Sequence, residues 1–397
     1  MKERILMLGG AMAQIPAIKR AKEMGLYVIT CDYLPDNPGH KFSDEYKNIS
    51  TIEQEEVLEY AAKKGIDGII AYASDPSART CAYISDKLGL AGSSYESVRR
   101  LFRKDLFREF QRKEGFNFPY FNVVTNLEEM REIEDKIVFP CMVKPVDSSG
   151  SKGVTKVNNH AELDKAFQAA ISYSHCGRVI IEEFIPSPYC QLHGDGVVAN
   201  GKLQFIALGD QRFLNTVPIG TSLPSQIDSD FMEKVNMEVA RFIERSGFDC
   251  GGVNVEVRVT GGGQIYIIEI GPRTGGNYVP QLMQLATGED EVTAVLQLAM
   301  GTESKIRMPG QIKCCFQYII GSGKNGKFQR LYVDQYIQDK IEKIYIHKQP
   351  GDYVGTYQNS NGVVGVALIK FSDPNEMEED IKNIGNYIQV IVDEEKR

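Results

Sequence analysis

The stretch VNVEVRVTGGGQIYIIEIGPR, residues 253–273, contains two β-rich runs on either side of a glycine-rich turn and predicts a β-hairpin. If the turn is centred between Gly262 and Gly263, Glu256 lies directly opposite Glu269 on the two strands. Side chains in such a cross-strand pair have Cβ atoms about 5 Å apart, and like charges there are unfavourable. At an effective dielectric of 20 the repulsion is roughly 3 kcal/mol, so another group must offset it.

Three arrangements can offset this repulsion, and the hairpin alone does not decide among them. In the same register Arg258 faces Ile267 and lies diagonal to Glu269, whose charge it could neutralise. One carboxyl could instead stay protonated. The third arrangement is a divalent cation between the carboxylates, because Mg²⁺ takes oxygen ligands and shares them with phosphate groups. The register also pairs Asn254 with Gly271.

The overall composition is that of a globular protein. The 397 residues suggest two or three domains, with 42% hydrophobic and 25% charged residues. A net charge of −8 without a long basic run disfavours nucleic acid and anionic membranes as partners. The sequence has no apolar run of membrane-spanning length, and its N-terminus lacks a signal-peptide layout. The eight cysteines lack metal-binding spacing and predict buried free thiols in a reducing cytosol, so we expect a cytoplasmic protein.

The strand and helix patterns change along the chain. Up to about residue 95, apolar runs such as RILMLGG alternate with helical segments, which predicts a parallel α/β sheet with right-handed crossovers. Residues 96–140 are helical and then irregular in pattern, and from residue 141 to about Gly301 closely spaced strands with two more helices predict an α+β domain. Residues 302–397 add more strands and a last helix. The glycines after the first strand do not form Gly-x-Gly-x-x-Gly, so Asp32 after the second strand is more typical of a turn than of a dinucleotide site.

Two further motifs suggest contacts with a nucleotide. FPCMVKPVDSSGSKGV (139–154) is an apolar strand that carries Lys144 and leads into a loop of small residues, whose backbone N–H groups can approach phosphate oxygens closely. A plain flexible loop is the alternative interpretation. RVIIEEFI (178–185) is an apolar strand that ends in acidic residues, where main-chain groups can pair with a purine edge. Taken alone, this second motif fits an acidic edge strand better.

In this order, the loop, the strand exit and the carboxylate hairpin resemble the ATP-grasp superfamily. The hairpin of that family ends in Glu-x-Asn-Pro-Arg, and here the motif reads Glu269-Ile270-Gly271-Pro272-Arg273. The tail is similar to the C-terminal domain of L-amino-acid ligases and of the biotin-carboxylase-like group. The resemblance implies an ATP-grasp fold with three domains: a Rossmann-like pre-ATP-grasp domain (1–95), an ATP-grasp domain (96–301, lid about 120–185) and a C-terminal α+β domain (302–397).

The resemblance also implies roles for individual residues. Phosphate contacts are implied for two lysines and a flexible loop: Lys104, Lys144, Ser149, Gly150 and Gly153. Adenine and ribose contacts are implied for the strand exit and a residue after it: Glu182, Glu183, Phe184, Ile185 and Gln191. Glu256 and Glu269 correspond to the ligands of Mg²⁺ (or Mn²⁺), and Arg273 to the arginine that stabilises the transferring phosphoryl group. Gln191 stands where the family usually has Glu, and Gly271 replaces a metal-binding Asn, for which Asn254 could partly substitute.

The implied activity is that of an ATP-dependent carboxylate–amine ligase. A small carboxylate, with an amino acid favoured, attacks ATP to form an acyl phosphate, and an amine then displaces phosphate, giving an amide, ADP and phosphate. The backbone N–H groups of Gly275, Gly276 and Asn277 could bind the substrate carboxylate, or could simply form a helix-entry turn. Similar proteins often form homodimers. A carbamoyl-phosphate-synthetase-like activity, a purine-pathway phosphoribosyl ligase or carboxylase, and a non-catalytic ATP-binding regulator remain alternatives.

Overall fold

The chain begins with a parallel sheet and its helices. A computed structural model describes residues 2–214 and 217–393. The strands of this sheet are β1 (Arg4–Leu8), β2 (Tyr27–Asp32), β3 (Glu45–Asn48) and β4 (Gly68–Ile70), and the helices are α1 (Ile15–Glu23), α2 (Gln54–Lys64) and α3 (Asp75–Leu88). The strands pair in the order β3-β2-β1-β4, always in parallel, which confirms the predicted α/β class. The sequence pattern does not predict β3, because its four residues, EYKN, are polar and few.

The carboxylate at the end of β2 closes the turns around it. Asp32 Oδ2 accepts hydrogen bonds from the Gly10 N–H group at 3.1 Å and from Asn37 Nδ2 at 2.8 Å. Its Oδ1 accepts from the Leu34 N–H group at 3.0 Å. The turn interpretation of Asp32 therefore accounts for both of its oxygens.

Two helices lead from the parallel sheet into the next part of the chain. The continuous helical pattern of the sequence divides into two helices here: α4 (Tyr95–Phe102) and α5 (Lys104–Glu114). The break lies at Arg103, whose backbone is extended. The Lys104 N–H group donates to the Val146 carbonyl oxygen at 2.9 Å, which holds the first residue of α5 against a turn later in the chain.

A small antiparallel sheet follows, within the region where the resemblance implies a lid. Its elements are β5 (Phe121–Val124), α6 (Leu127–Glu132), β6 (Cys141–Pro145), β7 (Thr155–Val157), α7 (Leu163–Ile171) and β8 (Val179–Glu183). The strands pair in the order β5-β8-β6-β7, and each pairing is antiparallel. The sheet buries Val143 and Ile181 against Leu163 and Phe167 of α7, so it has a core of its own.

A larger antiparallel sheet lies at the centre of the chain. The next elements are β9 (Gln191–Ala199), β10 (Lys202–Leu214), β11 (Val217–Leu223), α8 (Ser229–Ser246), β12 (Gly251–Val259), β13 (Ile265–Gly271), α9 (Val279–Thr287) and α10 (Glu291–Ala299). β9 and β10 contain continuous runs of buried residues, and successive side chains in these runs point to opposite faces of the sheet. Val198 and Ile206 pack in the core beneath α8, whereas Val197 and Phe205 pack with α9 and α10. Helices therefore cover both faces.

The last part of the chain extends the same sheet. Its elements are β14 (Cys315–Gly321), β15 (Gly326–Val333), α11 (Gln335–Gln338), β16 (Ile341–Ile346), β17 (Tyr353–Val354), β18 (Val363–Lys370), α12 (Pro374–Tyr387) and β19 (Ile388–Asp393). The large sheet has the order β13-β12-β9-β10-β11-β14-β18-β16, and a small one has the order β17-β15-β19. The predicted α+β character is confirmed. Since strands from both sides of residue 301 share one sheet, the domain boundary there stays a prediction.

The burial of the cysteines agrees in part with the expectation of buried free thiols. The eight cysteines are free thiols, and Cys31, Cys141 and Cys315 are buried as predicted. The expectation of burial is wrong for Cys176, which is exposed and follows α7 in a polar turn. Within residues 2–214 and 217–393, each helix is too short or too polar to cross a membrane.

Candidate active site

The predicted carboxylate hairpin forms from β12 and β13. Glu256 lies opposite Glu269 and Asn254 lies opposite Gly271, which confirms the register predicted from the glycine-rich turn. β12 lies between β13 and β9, while β13 is the outermost strand of the large sheet. Because directly paired residues point to the same face, the two carboxylates stand side by side.

The predicted neutralisation of Glu269 by Arg258 is wrong. An extra residue in β13 shifts the pairing after the two glutamates, so Arg258 lies opposite Tyr266 rather than Ile267. Its guanidinium donates from Nε to Gln191 Oε1 and from Nη1 to the Ile185 carbonyl oxygen, both at 2.9 Å. A bulge of one residue changes the neighbours of each side chain beyond it.

The paired carboxylates carry a charge that the protein offsets only in part. Burial and the neighbouring Glu269 raise the pKa of the Glu256 carboxyl to about 7. Glu256 Oε2 accepts a hydrogen bond from Gln191 Nε2 at 2.9 Å. Three cations act against the rise: Lys144, Lys104 and Arg273. The pair offers the oxygen ligands that Mg²⁺ prefers. In the described part of the chain, no three His, Cys, Asp or Glu side chains form a ready metal cluster, so phosphate oxygens or water would supply the remaining ligands.

Two lysines approach the hairpin from different elements. Lys104 Nζ lies 3.4 Å from Glu269 Oε2 and donates to the Ser148 carbonyl oxygen at 3.0 Å. Lys144, on β6, donates from Nζ to Glu182 Oε2 at 2.8 Å. The loop that begins at Ser148 contains the residues predicted to bind phosphate: Ser149, Gly150 and Gly153. The φ angles of its two glycines are 67° and 70°, a conformation that other residues rarely adopt. Lys104 therefore joins this loop to the carboxylate hairpin.

Arg273 follows the hairpin and is held by a carboxylate from the first part of the chain. Its Nε and Nη2 atoms donate to Asp75 Oδ1 at 2.8 Å and Oδ2 at 2.6 Å, and Nη1 donates to the Thr274 carbonyl oxygen at 2.9 Å. These bonds use three of the five guanidinium N–H groups. Asp75 is the first residue of α3. Sequence reasoning missed it, because Ser-Asp-Pro is an ordinary way to begin a helix.

The two glutamates and Arg273 belong to a segment with a recognised family. Residues 137–281 match the family described as the ATP-grasp domain. These residues form an ATP-grasp domain. The matched segment includes β6 to β8 and the complete hairpin, whereas Lys104 and Asp75 precede it.

Several known proteins resemble this chain over part of the sequence. It is 30% identical over 187 residues to the formate-dependent phosphoribosylglycinamide formyltransferase of Bacteroides fragilis, a match that covers 46% of this chain and 48% of that protein. It is 26% identical to an uncharacterized protein, y4rH, of Sinorhizobium fredii, over 60% of this chain and 50% of that protein. The chain thus spans about half the length of these two curated relatives.

Solved structures resemble the chain over its whole length. The L-amino acid ligase from Bacillus licheniformis has a TM-score of 0.84 at 19% identity, covering 99% of both chains. The phosphoribosylglycinamide synthetase from Anaerococcus prevotii has a TM-score of 0.77 at 22% identity, covering 99% of this chain and 100% of the other. At such identities the likeness concerns the fold alone, and it confirms the ATP-grasp fold.

Gly271 departs from the ATP-grasp motif, and its surroundings give a physical reason. A Cβ atom at this position would lie 3.3 Å from Asp75 Oδ1 and 3.5 Å from Arg273 Cζ. A larger side chain would therefore crowd the ion pair between Asp75 and Arg273. The absence of a side chain at residue 271 leaves room for that ion pair.

Of the two interpretations of Gly275, Gly276 and Asn277, the structure bears on the first residue only. The Gly275 N–H group donates to both oxygens of the buried Asp195 carboxylate, at 2.9 and 2.8 Å, which favours the turn interpretation. Asp195 Oδ1 also accepts from Asn254 Nδ2 at 2.7 Å. The amide nitrogen of Asn254 thus faces Asp195, and Oδ1 is the atom left to face a cation. The metal role of Asn254 and the anion contacts of Gly276 and Asn277 stay predictions.

The predicted purine-binding strand exit lies at the end of β8. The N–H groups of Glu183 and Phe184 donate to neighbouring carbonyl oxygens at 2.8 and 3.0 Å. Two cations lie against the Phe184 ring, with Lys156 Nζ 3.9 Å and Arg258 Cζ 4.7 Å from its centroid. The two hydrogen bonds hold the backbone of Glu183 and Phe184, and the two cations lie against the Phe184 side chain. The adenine roles of Glu183, Phe184 and Ile185, and the ribose role of Gln191, stay predictions.

The Glu182 side chain is committed to partners inside the protein, which leaves only its main chain for the predicted adenine contact. It is 2% exposed and binds both Lys144 and Arg108. Burial alone would raise the pKa of Glu182, but the charges of Arg108 and Lys144 outweigh it and lower the pKa to about 2. Sequence reasoning missed Arg108, because it lies in a helix rich in charged residues with nothing to mark it as buried.

Proposed function

We propose that this chain is an ATP-dependent carboxylate–amine ligase that releases ADP and phosphate. The observation that carries the proposal is the facing pair Glu256 and Glu269, with Lys104 Nζ 3.4 Å from one of the carboxylates. A divalent cation would offset the repulsion in such a pair, and the adjoining lysine and small-residue loop are suited to phosphate oxygens. The ATP-grasp domain at residues 137–281 supports the same assignment.

The residues fit a divalent cation. Glu256 and Glu269 would hold Mg²⁺ or Mn²⁺, because their paired carboxylates offer oxygen ligands, and burial followed by the charge of Glu269 raises the pKa of Glu256. When bound, the cation would neutralise the phosphate oxygens of ATP. The proposed roles of Lys104 and Lys144 are to bind the same phosphates from the side of the small-residue loop.

The first proposed step transfers the γ-phosphoryl group. An oxygen of the substrate carboxylate attacks the γ-phosphorus, the bond from that phosphorus to the oxygen of the leaving ADP breaks, and an acyl phosphate forms. Arg273 would use the guanidinium N–H groups that Asp75 and Thr274 leave available, and so stabilise the charge on the transferring group.

The second proposed step forms the amide. The amine nitrogen attacks the acyl carbon, the bond from that carbon to the phosphate oxygen breaks, and the amine proton passes to phosphate or solvent. Phosphate therefore leaves with one oxygen of the original carboxylate. Closure of the loop after Ser148 would exclude water, which would otherwise hydrolyse the acyl phosphate.

Two substrate classes deserve to be tested first. The Bacillus licheniformis structure is named an L-amino acid ligase, which supports an amino acid as the carboxylate. The Bacteroides fragilis relative is named a formate-dependent phosphoribosylglycinamide formyltransferase, which supports formate with a phosphoribosyl amine as the second candidate. Homodimer formation and a carbamoyl-phosphate-synthetase-like activity remain predictions from the resemblance.

The test is ADP release with ATP, Mg²⁺ and panels of carboxylates and amines, formate included. We expect release that requires one carboxylate and one amine and is lost in Glu269→Gln. Glu244→Gln, at an exposed glutamate of α8, is the matched control and should leave the rate unchanged. AMP and pyrophosphate as products would contradict the mechanism. Tight ATP binding without ADP release from any panel would favour the non-catalytic regulator.

A further inference from the structure

Arg108 is a buried arginine that joins three elements of the candidate site. Its side chain is 1% exposed. Nε donates to Glu182 Oε1 at 2.9 Å, Nη1 to Gln111 Oε1 at 2.8 Å, and Nη2 to the Ile268 carbonyl oxygen at 2.8 Å. A second contact from Nη2 reaches Glu182 Oε2 at 3.4 Å. One guanidinium therefore binds α5, β8 of the small sheet and β13 of the carboxylate hairpin.

The spacing along α5 explains how one helix reaches so many groups. Lys104, Arg108 and Gln111 stand at positions i, i+4 and i+7, and so share one face of the helix. Lys104 approaches Glu269, while Arg108 and Gln111 donate to the carbonyl oxygens of Ile268 and Ile267. Because β13 is an edge strand, these side chains supply hydrogen bonds that a further strand would otherwise provide.

The charges around Glu182 have a consequence for nucleotide binding. Glu182 is a buried carboxylate with two cations, Arg108 and Lys144, the latter at 2.8 Å. Lys144 is the lysine proposed to bind ATP phosphate. If Lys144 were the sole partner of Glu182, turning toward a phosphate would weaken the pairing of a buried charge, which is costly. With Arg108 present, the carboxylate stays paired when Lys144 moves.

We propose that Arg108 is a positioning residue for nucleotide binding, which balances the charge of Glu182 so that Lys144 is free to bind phosphate. The inference rests on the proposed function only in taking Lys144 as a phosphate ligand. It concerns affinity for nucleotide and not the later chemistry. The experiment therefore measures binding alone.

The test compares the affinity of the full chain for ADP with Mg²⁺, by calorimetry, in three variants. In Arg108→Met, Lys144 is the remaining cation on Glu182, and we expect affinity to fall by about tenfold or more. Arg108→Met combined with Glu182→Gln removes the whole charge pair and frees Lys144, so affinity should return to within a few-fold of the native chain. Arg112→Met is the matched control, since Arg112 is an exposed arginine of the same helix.

The double variant separates positioning from a merely structural role. A structural defect from losing Arg108 would persist when Glu182 is also changed, whereas a charge imbalance would be corrected. Unchanged affinity in Arg108→Met, or a double variant as weak as the single one, would overturn the proposal. If Arg108→Met does not fold, Arg108→Lys and Arg108→Gln replace it: Lys keeps the positive charge beside Glu182 and should retain affinity within a few-fold, whereas Gln removes it and should lose about tenfold. Equal affinities in these two variants would overturn the proposal. ADP binding without ligase activity would count against the proposed function and leave this inference standing.

Discussion

Without a divalent cation, the contribution of Glu256 to the stability of the folded chain should fall as the pH rises from about 4.5 to about 7. The pKa of Glu256 is raised from its ordinary value of 4.5 to about 7, first by burial and then by Glu269. Below pH 4.5 this carboxyl is protonated in both the folded and the unfolded chain, so its titration does not change the free energy of unfolding there. Between the two values the unfolded chain releases the proton while the folded chain retains it, so unfolding becomes progressively more favourable.

The size of this loss follows from the two pKa values. Each pKa unit corresponds to about 1.4 kcal/mol, so the contribution of Glu256 to the free energy of unfolding should fall by at most about 3.5 kcal/mol between pH 4.5 and about 7. Glu256→Gln removes the titrating group and keeps an acceptor for Gln191 Nε2. The variant should therefore match the native chain near pH 4.5 and exceed its stability by about 2–3 kcal/mol at pH 8 without metal.

The assay is urea denaturation of both proteins at several pH values in a metal chelator, with Glu244→Gln as the surface control. Comparing variant with native chain isolates Glu256 from Asp195, whose pKa is raised to about 6 by burial and which titrates in the same interval. Mg²⁺ with ADP should stabilise the native chain more than Glu256→Gln. A stability difference that does not change between pH 4.5 and pH 8, or a variant less stable at pH 8, would refute the reasoning.

Three further predictions concern the neighbouring residues. Gly271→Asn should destabilise the chain by about 1–3 kcal/mol in the same denaturation assay, because its side chain crowds the ion pair between Asp75 and Arg273; the same substitution should cost less when it is made in Asp75→Ala than in the native chain. Arg273→Lys keeps the charge but loses the two-point contact, so kcat for ADP release should fall by about tenfold or more; an unchanged kcat would remove Arg273 from the phosphoryl transfer step. The pKa of Glu182 is lowered to about 2, so Glu182 contributes about 3 kcal/mol to the free energy of unfolding above pH 4.5, and this contribution disappears as the pH falls toward 2. The free energy of unfolding of Glu182→Gln should therefore fall less steeply with acid than that of the native chain.

The carboxylate hairpin could be predicted from the sequence because its partners are close along the chain. A strand has a period of two, and the glycine-rich turn defines which residues face each other, so the pair Glu256 and Glu269 follows from local information. The bulge that moves Arg258 could not be predicted, since a single extra residue leaves the alternating pattern nearly unchanged.

The groups that complete the site come from distant parts of the chain. Asp75 is 198 residues from Arg273, and Arg108 is 74 residues from Glu182. Each looks like an ordinary charged residue of a helix, and the fold alone makes it a buried ion-pair partner. The strands after residue 301 illustrate the same limit, because apolar runs predict strands but do not say that they extend the large sheet.

The most direct test of the ligase assignment follows the oxygen atoms of the carboxylate. With the carboxylate that supports ADP release labelled with ¹⁸O, the products should be separated and the phosphate examined by mass spectrometry. Attack of the carboxylate on ATP predicts one labelled oxygen in each phosphate released and none in ADP. Phosphate without label, or label recovered in AMP, would contradict an acyl-phosphate intermediate and with it the proposed function.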